Sequence, residues 1–151
     1  MKKLKMISLL LFLWLPISVW ALEYPTLHYD KAIVYDLTDD KVLYELKDKE
    51  KAHVASLTKI LTTITAIESI DNLDDMVTYT ENMKSLVRWD ASVAGLSVGD
   101  KVSYRDLLYA SILPSGADAT TALAVSTSGS ISNFVKKMNE EASKIGMSNS
   151  H

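Results

Sequence analysis

The sequence predicts an α+β fold, with a β-hairpin near the N-terminus and a block of helices after it. Two apolar runs, 32–37 and 42–46, flank a short polar turn, which is the pattern of a hairpin. From Ser56 onward, apolar residues recur mostly at helical spacing. Strands first and helices afterwards is the segregated order of α+β proteins.

Composition narrows the function classes. A hydrophobic fraction of 48 % and a charged fraction of 23 %, with 5 Gly and 3 Pro in 151 residues, are globular proportions. They exclude wholesale disorder, collagen and low-complexity arrays. The absence of cysteine excludes a disulfide scaffold, a zinc finger, a thiol nucleophile and a lipoprotein anchor. A formal charge of −3 gives no basic footprint for nucleic acid.

Residues 1–21 read as a signal peptide outside the fold. Lys2, Lys3 and Lys5 form a basic start, and 6–20 is an apolar run broken by Pro16. Val19 and Ala21 place small side chains at the −3 and −1 positions of a cleavage site after Ala21. The run is shorter than the roughly 20 residues of a membrane span, and Pro16 weakens it as an anchor helix. Removing its three lysines from the 16 basic residues leaves 13 against 19 acidic ones. The remainder, 22–151, is expected to be an exported, mildly acidic domain of the bacterial periplasm or cell envelope.

In order along that remainder, 32–37 is a buried strand, 38–41 a turn and 42–46 an alternating second strand. The charged segment 47–51 is expected to be exposed. Leu57, Ile60, Leu61, Ile64 and Ile67 form the apolar stripe of a helix that starts at Ser56 and continues to Ile70, where Asp71-Asn72 stops it. Residues 76–80 read as a short strand and 81–96 as irregular. Gly99-Asp100 marks a turn, and Ser103-Tyr104-Arg105-Asp106 resembles a capping box opening a helix through Leu107, Leu108 and Ile112. Pro114-Ser115-Gly116 breaks that helix, 117–125 forms another, and 127–130 is a Ser/Gly loop. Phe134, Val135, Met138, Ala142 and Ile145 mark a last helix that Gly146 stops. Two strands do not make a stable sheet alone, and nothing in the sequence is an obvious third.

The chemistry concentrates at Ser56-Leu57-Thr58-Lys59. A serine hydroxyl is a weak nucleophile until a base takes its proton, and lysine is one such base. On a helix, residues i and i+3 share a face, so the Lys59 amine can reach the Ser56 hydroxyl. Free N–H groups at the helix start can polarise a developing oxyanion. The structural alternative is an N-cap serine followed by a solvated lysine. Ser115, in the loop between two helices, is placed to relay a proton; the alternative is a turn serine capping the next helix.

Together these residues resemble the low-molecular-mass penicillin-binding proteins, the serine D-alanyl-D-alanine carboxypeptidases. Ser-x-x-Lys is the signature of penicillin-binding proteins and class A β-lactamases. Ala32-Ile33-Val34-Tyr35-Asp36 with Lys41-Val42-Leu43-Tyr44-Glu45 resembles their opening hairpin. The segment Ala55-Ser56-Leu57-Thr58-Lys59-Ile60-Leu61-Thr62 resembles their nucleophile helix. Gly99-Asp100 followed by Asp106-Leu107-Leu108-Tyr109-Ala110 is similar to their approach to the second motif. Ser115-Gly116-Ala117-Asp118-Ala119 stands where they carry Ser-Gly-Asn-Asp-Ala. Phe134-Val135-Lys136-Lys137-Met138-Asn139 and the exit from Gly146 to His151 follow their next helix. The likeness runs in order over nearly all of 22–151.

The resemblance implies a β-lactamase-like transpeptidase fold and an acyl-enzyme at Ser56. Ser56 would attack the carbonyl between the last two D-alanines of a peptidoglycan stem peptide. Lys59 would act as general base and Ser115 as proton relay to the departing D-alanine. Water would then hydrolyse the ester, and β-lactams, which imitate the dipeptide, would acylate the same serine. No metal or organic cofactor enters this chemistry.

Two departures stand out. Ala117 occupies the position of the family's Asn and offers no amide donor or acceptor, so slower acylation or altered substrate choice is expected. The family's Lys-Thr-Gly box, which binds the substrate carboxylate, is absent. The chain is therefore expected to be a truncated form, the N-terminal part of the domain. It would hold the hairpin and helical lobe, lack the C-terminal sheet strands, leave a sheet edge exposed and be impaired or inactive. A C-terminal membrane anchor, which family members often add, is not expected within this chain. The alternatives are a D,D-endopeptidase of the same family and a non-catalytic envelope scaffold. A class A β-lactamase would need a deacylating glutamate on a loop the chain does not reach.

The other polar residues read blandly. His28, His53 and His151 share no ligand spacing. Arg88 and Trp89 are expected to pack on the surface, the alternative being a place at the rim of the cleft. Lys136-Lys137 with Glu140-Glu141 reads as a solvated helix face with i,i+4 pairs, and the methionines as core filler.

Overall fold

The structure, a computed structural model, describes residues 28–150. The signal peptide expected over 1–21 and its cleavage site lie outside the described residues, as does His151. The chain divides into two compact units, one ending at Ala52 and one beginning at His53.

The first unit is the hairpin. Strands β1 (Ala32–Asp36) and β2 (Lys41–Leu46) are antiparallel, with Ala32 opposite Leu46, Asp36 opposite Lys41 and an irregularity between Val34 and Tyr35. Its turn is built by side-chain chemistry. The Asp36 carboxylate accepts the N–H groups of Thr38 (2.8 Å) and Asp39 (3.2 Å), and the Tyr35 hydroxyl donates to Asp40. Lys31 and Glu50 pair at 2.6 Å across the open end. Among the described residues this sheet has two strands only, so both are edges. Ile33, Val34, Tyr35, Val42 and Leu43 are all exposed.

The second unit is helical. Its order is a 3-10 turn (Ala55–Leu57), α1 (Thr58–Glu68), β3 (Met76–Thr78), α2 (Glu81–Ser85), β4 (Lys101–Ser103), α3 (Tyr104–Ile112), α4 (Ala117–Ser128) and α5 (Ile131–Lys144). Helix α4 is the hub and packs against all four other helices. Its buried residues are Asp118, Ala119, Thr121, Ala122, Leu123 and Ala124, most of them small. Those small side chains let its neighbours approach closely. Phe134 and Ala142 of α5, Leu107 and Leu108 of α3, and Met83 of α2 complete the core.

The buried face of α1 differs from the expected one. Ile60, Ile64, Ile67 and the preceding Leu57 are exposed, whereas Thr62, Thr65 and Ala66 face the core. Ile60 is 54 % exposed and Ala66 fully buried. Three of the helix's threonines can point inward or sideways because each hydroxyl is satisfied by the carbonyl one turn earlier. Thr62 donates to Thr58 (3.2 Å), Thr63 to Lys59 (2.8 Å) and Thr65 to Leu61 (2.8 Å). A threonine with an internal partner packs as a small residue, which suits the close contact with α4.

Other boundaries move for local reasons. The segment expected to be irregular contains α2, whose N-cap Thr80 accepts the Met83 N–H at 3.3 Å. Strand β4 pairs with β3, Val102 opposite Val77, as a second small sheet. Helix α4 runs into the expected Ser/Gly loop, as far as Ser128. There Ser126 and Thr127 donate back to Ala122 (2.6 Å) and Leu123 (2.7 Å), and Gly129 at φ +73° ends the helix. Ser103 caps α3 as expected, accepting the Asp106 N–H at 3.1 Å. On α5, Glu141 pairs with Lys144 at i,i+3 rather than i,i+4, and Lys137 donates to Ser69 at 3.3 Å.

Candidate active site

Ser56 lies in the 3-10 turn that feeds α1, and Ser115 lies in the loop from α3 to α4. These serines are 59 residues apart in the chain, yet the Ser115 hydroxyl donates to the Ser56 Oγ at 2.8 Å. Packing of α1, α3 and α4 brings them together.

Both are held by unusual backbone. Ala55, immediately before Ser56, has φ +46°, and Ser115 itself has φ +58°. Non-glycine residues in the left-handed region cost of order 1–3 kcal/mol each and persist only where the surroundings over-determine them. At Ser115 those surroundings are three backbone hydrogen bonds. The Ser115 N–H donates to Ile112 (3.3 Å), the Gly116 N–H to Ala110 (3.1 Å) and the Ala117 N–H to Ser92 (2.8 Å). A side chain at Gly116 has no room, because a Cβ there would stand 2.6 Å from the Ala110 carbonyl oxygen.

Lys59 occupies the first turn of α1, three residues after Ser56, and is half-buried. Among the described residues its amine takes no hydrogen bond or ion pair; in particular it bonds neither serine. Its carbonyl accepts from Thr63, whose Oγ1 lies 3.1 Å from the Oγ of the fully buried Ser111. Ser111 in turn donates to Leu108 at 2.8 Å, so the start of α1 is tied to α3. The free N–H groups expected at the helix start are partly spoken for, since Leu57 donates to Val54 (3.0 Å) and Thr58 to the 3-10 turn.

Ala117 opens α4 and is half-buried. The residue after it escaped the sequence reading. Asp118 is 3 % exposed, and its carboxylate accepts four backbone N–H groups. Burial alone would raise its pKa, but the N–H groups of Ala94, Leu96, Ala119 and Gly95 outweigh it and hold the carboxyl below the usual range. Trp89 is 96 % exposed and does not pack on the surface, while Arg88 pairs with Asp90 through two hydrogen bonds. His28 and His53 are exposed.

Comparison with known proteins places this geometry. A family model described as D-alanyl-D-alanine carboxypeptidase matches residues 19–151. The Bacillus subtilis (strain 168) D-alanyl-D-alanine carboxypeptidase DacF is 33 % identical over 122 residues, covering 78 % of this chain and 31 % of that protein. The Escherichia coli (strain K12) carboxypeptidase DacC is 36 % identical over 152 residues, covering 94 % and 38 %. Among solved structures, a point mutant of the Streptomyces K15 DD-transpeptidase superimposes with a TM-score of 0.79 at 32 % identity, covering 85 % of this chain and 52 % of that one. Penicillin binding protein 5 from Haemophilus influenzae gives 0.74 at 30 %, covering 83 % and 38 %. The chain thus spans about a third of the length of these curated relatives, 31 % and 38 %, and its described residues have the penicillin-binding protein fold over the shared part. The chain belongs to the D-alanyl-D-alanine carboxypeptidase family.

Proposed function

We propose that this chain carries the nucleophile lobe of a serine D-alanyl-D-alanine carboxypeptidase acting on peptidoglycan stem peptides. The observation that supports it most is the 2.8 Å hydrogen bond between Ser115 and Ser56, made across 59 residues of sequence. A capping serine or a turn serine has no need of such a partner.

In this reading Ser56 Oγ attacks the carbonyl carbon between the two terminal D-alanines and its proton passes to the Lys59 amine. Ser115 donates to the oxygen that has just lost its proton, then passes its own proton to the nitrogen of the leaving D-alanine and takes back the one held on Lys59. The peptide bond breaks, an ester remains on Ser56, and water hydrolyses it to regenerate the hydroxyl. The surroundings that enforce the strained backbone at Ala55 and Ser115 keep both hydroxyls in place before substrate arrives. Residues 1–21 would direct export to the bacterial envelope, where stem peptides occur, and β-lactams would acylate Ser56.

Labelling with a fluorescent penicillin, alongside Ser56→Ala and a circular-dichroism check of folding, tests this. Slow labelling that vanishes in Ser56→Ala supports the enzyme. No labelling of a folded chain supports a non-catalytic envelope scaffold instead. A second reading, the D,D-endopeptidase, is favoured by one relative, the Pseudomonas aeruginosa D-alanyl-D-alanine endopeptidase, 31 % identical over 118 residues. Cleavage of a cross-linked dimer without release of terminal D-alanine selects it.

A further inference from the structure

We propose that Asp118 is a positioning residue that fixes Ser115 against Ser56 by clamping the loop 92–96. Each carboxylate oxygen takes two N–H groups. Oδ1 accepts from Ala94 (2.8 Å) and Ala119 (2.9 Å), and Oδ2 from Gly95 (2.9 Å) and Leu96 (2.9 Å). One of the four donors belongs to its own helix, and the other three are consecutive residues of the loop. A carboxylate serving only to complement a helix start would need just the first kind.

The loop so held is in direct contact with the segment that carries Ser115. The Ser92 carbonyl accepts the Ala117 N–H at 2.8 Å. A Cβ on Gly116 would stand 3.0 Å from the Ala94 Cβ and 2.9 Å from Asp118 Oδ1, so the loop, the carboxylate and the Gly116 backbone touch without a gap. Ser115 is the next residue and sits at φ +58°. A strained conformation of this kind relaxes when one wall is removed. Asp118 is therefore the far end of a rigid chain from Asp118 to the loop 92–96, then to Gly116 and Ala117, and finally to Ser115. The proposal rests on the reading in which Ser115 relays the proton.

Two variants perturb the clamp differently. Asp118→Asn keeps the volume and one oxygen but turns a donor towards the Gly95 and Leu96 N–H groups. Gly95→Ala leaves Asp118 and the core untouched. Its Cβ meets nothing within 4 Å, yet φ +95° there disfavours any side chain. If Asp118→Asn does not fold, Gly95→Ala decides. Two readouts apply to the full chain: the rate of penicillin acylation, alone and combined with Ser115→Ala, and amide hydrogen exchange.

Each variant is expected to slow acylation about tenfold, part of the 10²–10⁴ that a positioned proton-transfer group supplies. It should have no further effect in the Ser115→Ala background, and exchange at 115–117 should rise about tenfold while 121–124 stays unchanged. The proposal is overturned if the loss persists undiminished in Ser115→Ala, if exchange at 115–117 does not change, or if the whole of α4 loosens equally. A wild-type chain that is never acylated defeats the functional reading alone. The exchange at 115–117 then still decides whether Asp118 holds Ser115.

Discussion

Replacing Gly116 by alanine inserts a single methyl group at the most crowded point of the site. Its φ of −68° and ψ of 115° are open to any residue, so backbone preference does not oppose the change. Space does. The new Cβ would lie 2.6 Å from the Ala110 carbonyl oxygen, 2.9 Å from Asp118 Oδ1 and 3.0 Å from the Ala94 Cβ. None of these can swing aside as a flexible side chain would. The Ala110 oxygen belongs to backbone and accepts the Gly116 N–H, and Asp118 is pinned by four donors. The backbone at 115–117 must shift, and overpacking of this kind costs about 1–3 kcal/mol. For a domain of about 130 residues each kcal/mol lowers Tm by about 4 °C, so a central value of about 2 kcal/mol lowers it by about 8 °C. Thermal and urea melts followed by circular dichroism read the stability, and amide exchange at 115–117 reads the local shift. A Gly116→Ala protein that melts within about 2 °C of the parent, with exchange at 115–117 unchanged, would refute the reasoning.

Three further outcomes are expected. Ile60→Gln should change stability by no more than about 0.5 kcal/mol because Ile60 faces solvent, while Ala66→Leu, at a fully buried site, should cost about 1–3 kcal/mol; urea midpoints in the reverse order would put the isoleucine stripe in the core. Ala117→Asn should raise the penicillin acylation rate by about tenfold, the worth of one hydrogen bond to a charged group, and no rise would show that the missing amide is not limiting. Asp118 binds its proton less readily in the folded chain than in the unfolded one, where a carboxyl titrates near 3.9. Its contribution is therefore complete above about pH 5 and is lost as pH falls below about 3.9 towards the folded-state value, so urea midpoints should drop more steeply on acidification in the parent than in Asp118→Asn; equal slopes would contradict this.

The hairpin was legible because alternation and a polar turn are local signals, and the cap at Ser103 because capping depends on residues three apart. The start of α1 was legible, but its buried face was not. Hydrophobic spacing points to Ile60, Ile64 and Ile67, whereas packing on the alanine-rich α4 selects the threonine and alanine side. Helix α2 and strand β4 are five and three residues long, too short for periodicity to register. Spacing put Ser56 and Lys59 one helical turn apart, yet no hydrogen bond joins them, and spacing gave no sign of the bond from Ser115 to Ser56, since only the tertiary fold closes a 59-residue separation. Asp118 was missed for the same reason, because its loop partners lie 22 to 24 residues earlier. The positive φ angles at Ala55 and Ser115 carry no sequence signature, as neither residue is glycine.

In the proposed reaction Ser56 is the acylated nucleophile and its reactivity depends on Ser115. Peptide mapping by mass spectrometry after exposure of the folded chain to penicillin tests it most directly. The account predicts one covalent adduct, on the peptide containing Ser56, absent in Ser56→Ala and formed more slowly in Ser115→Ala. A folded chain that gains no adduct, or an adduct that survives Ser56→Ala, would contradict it.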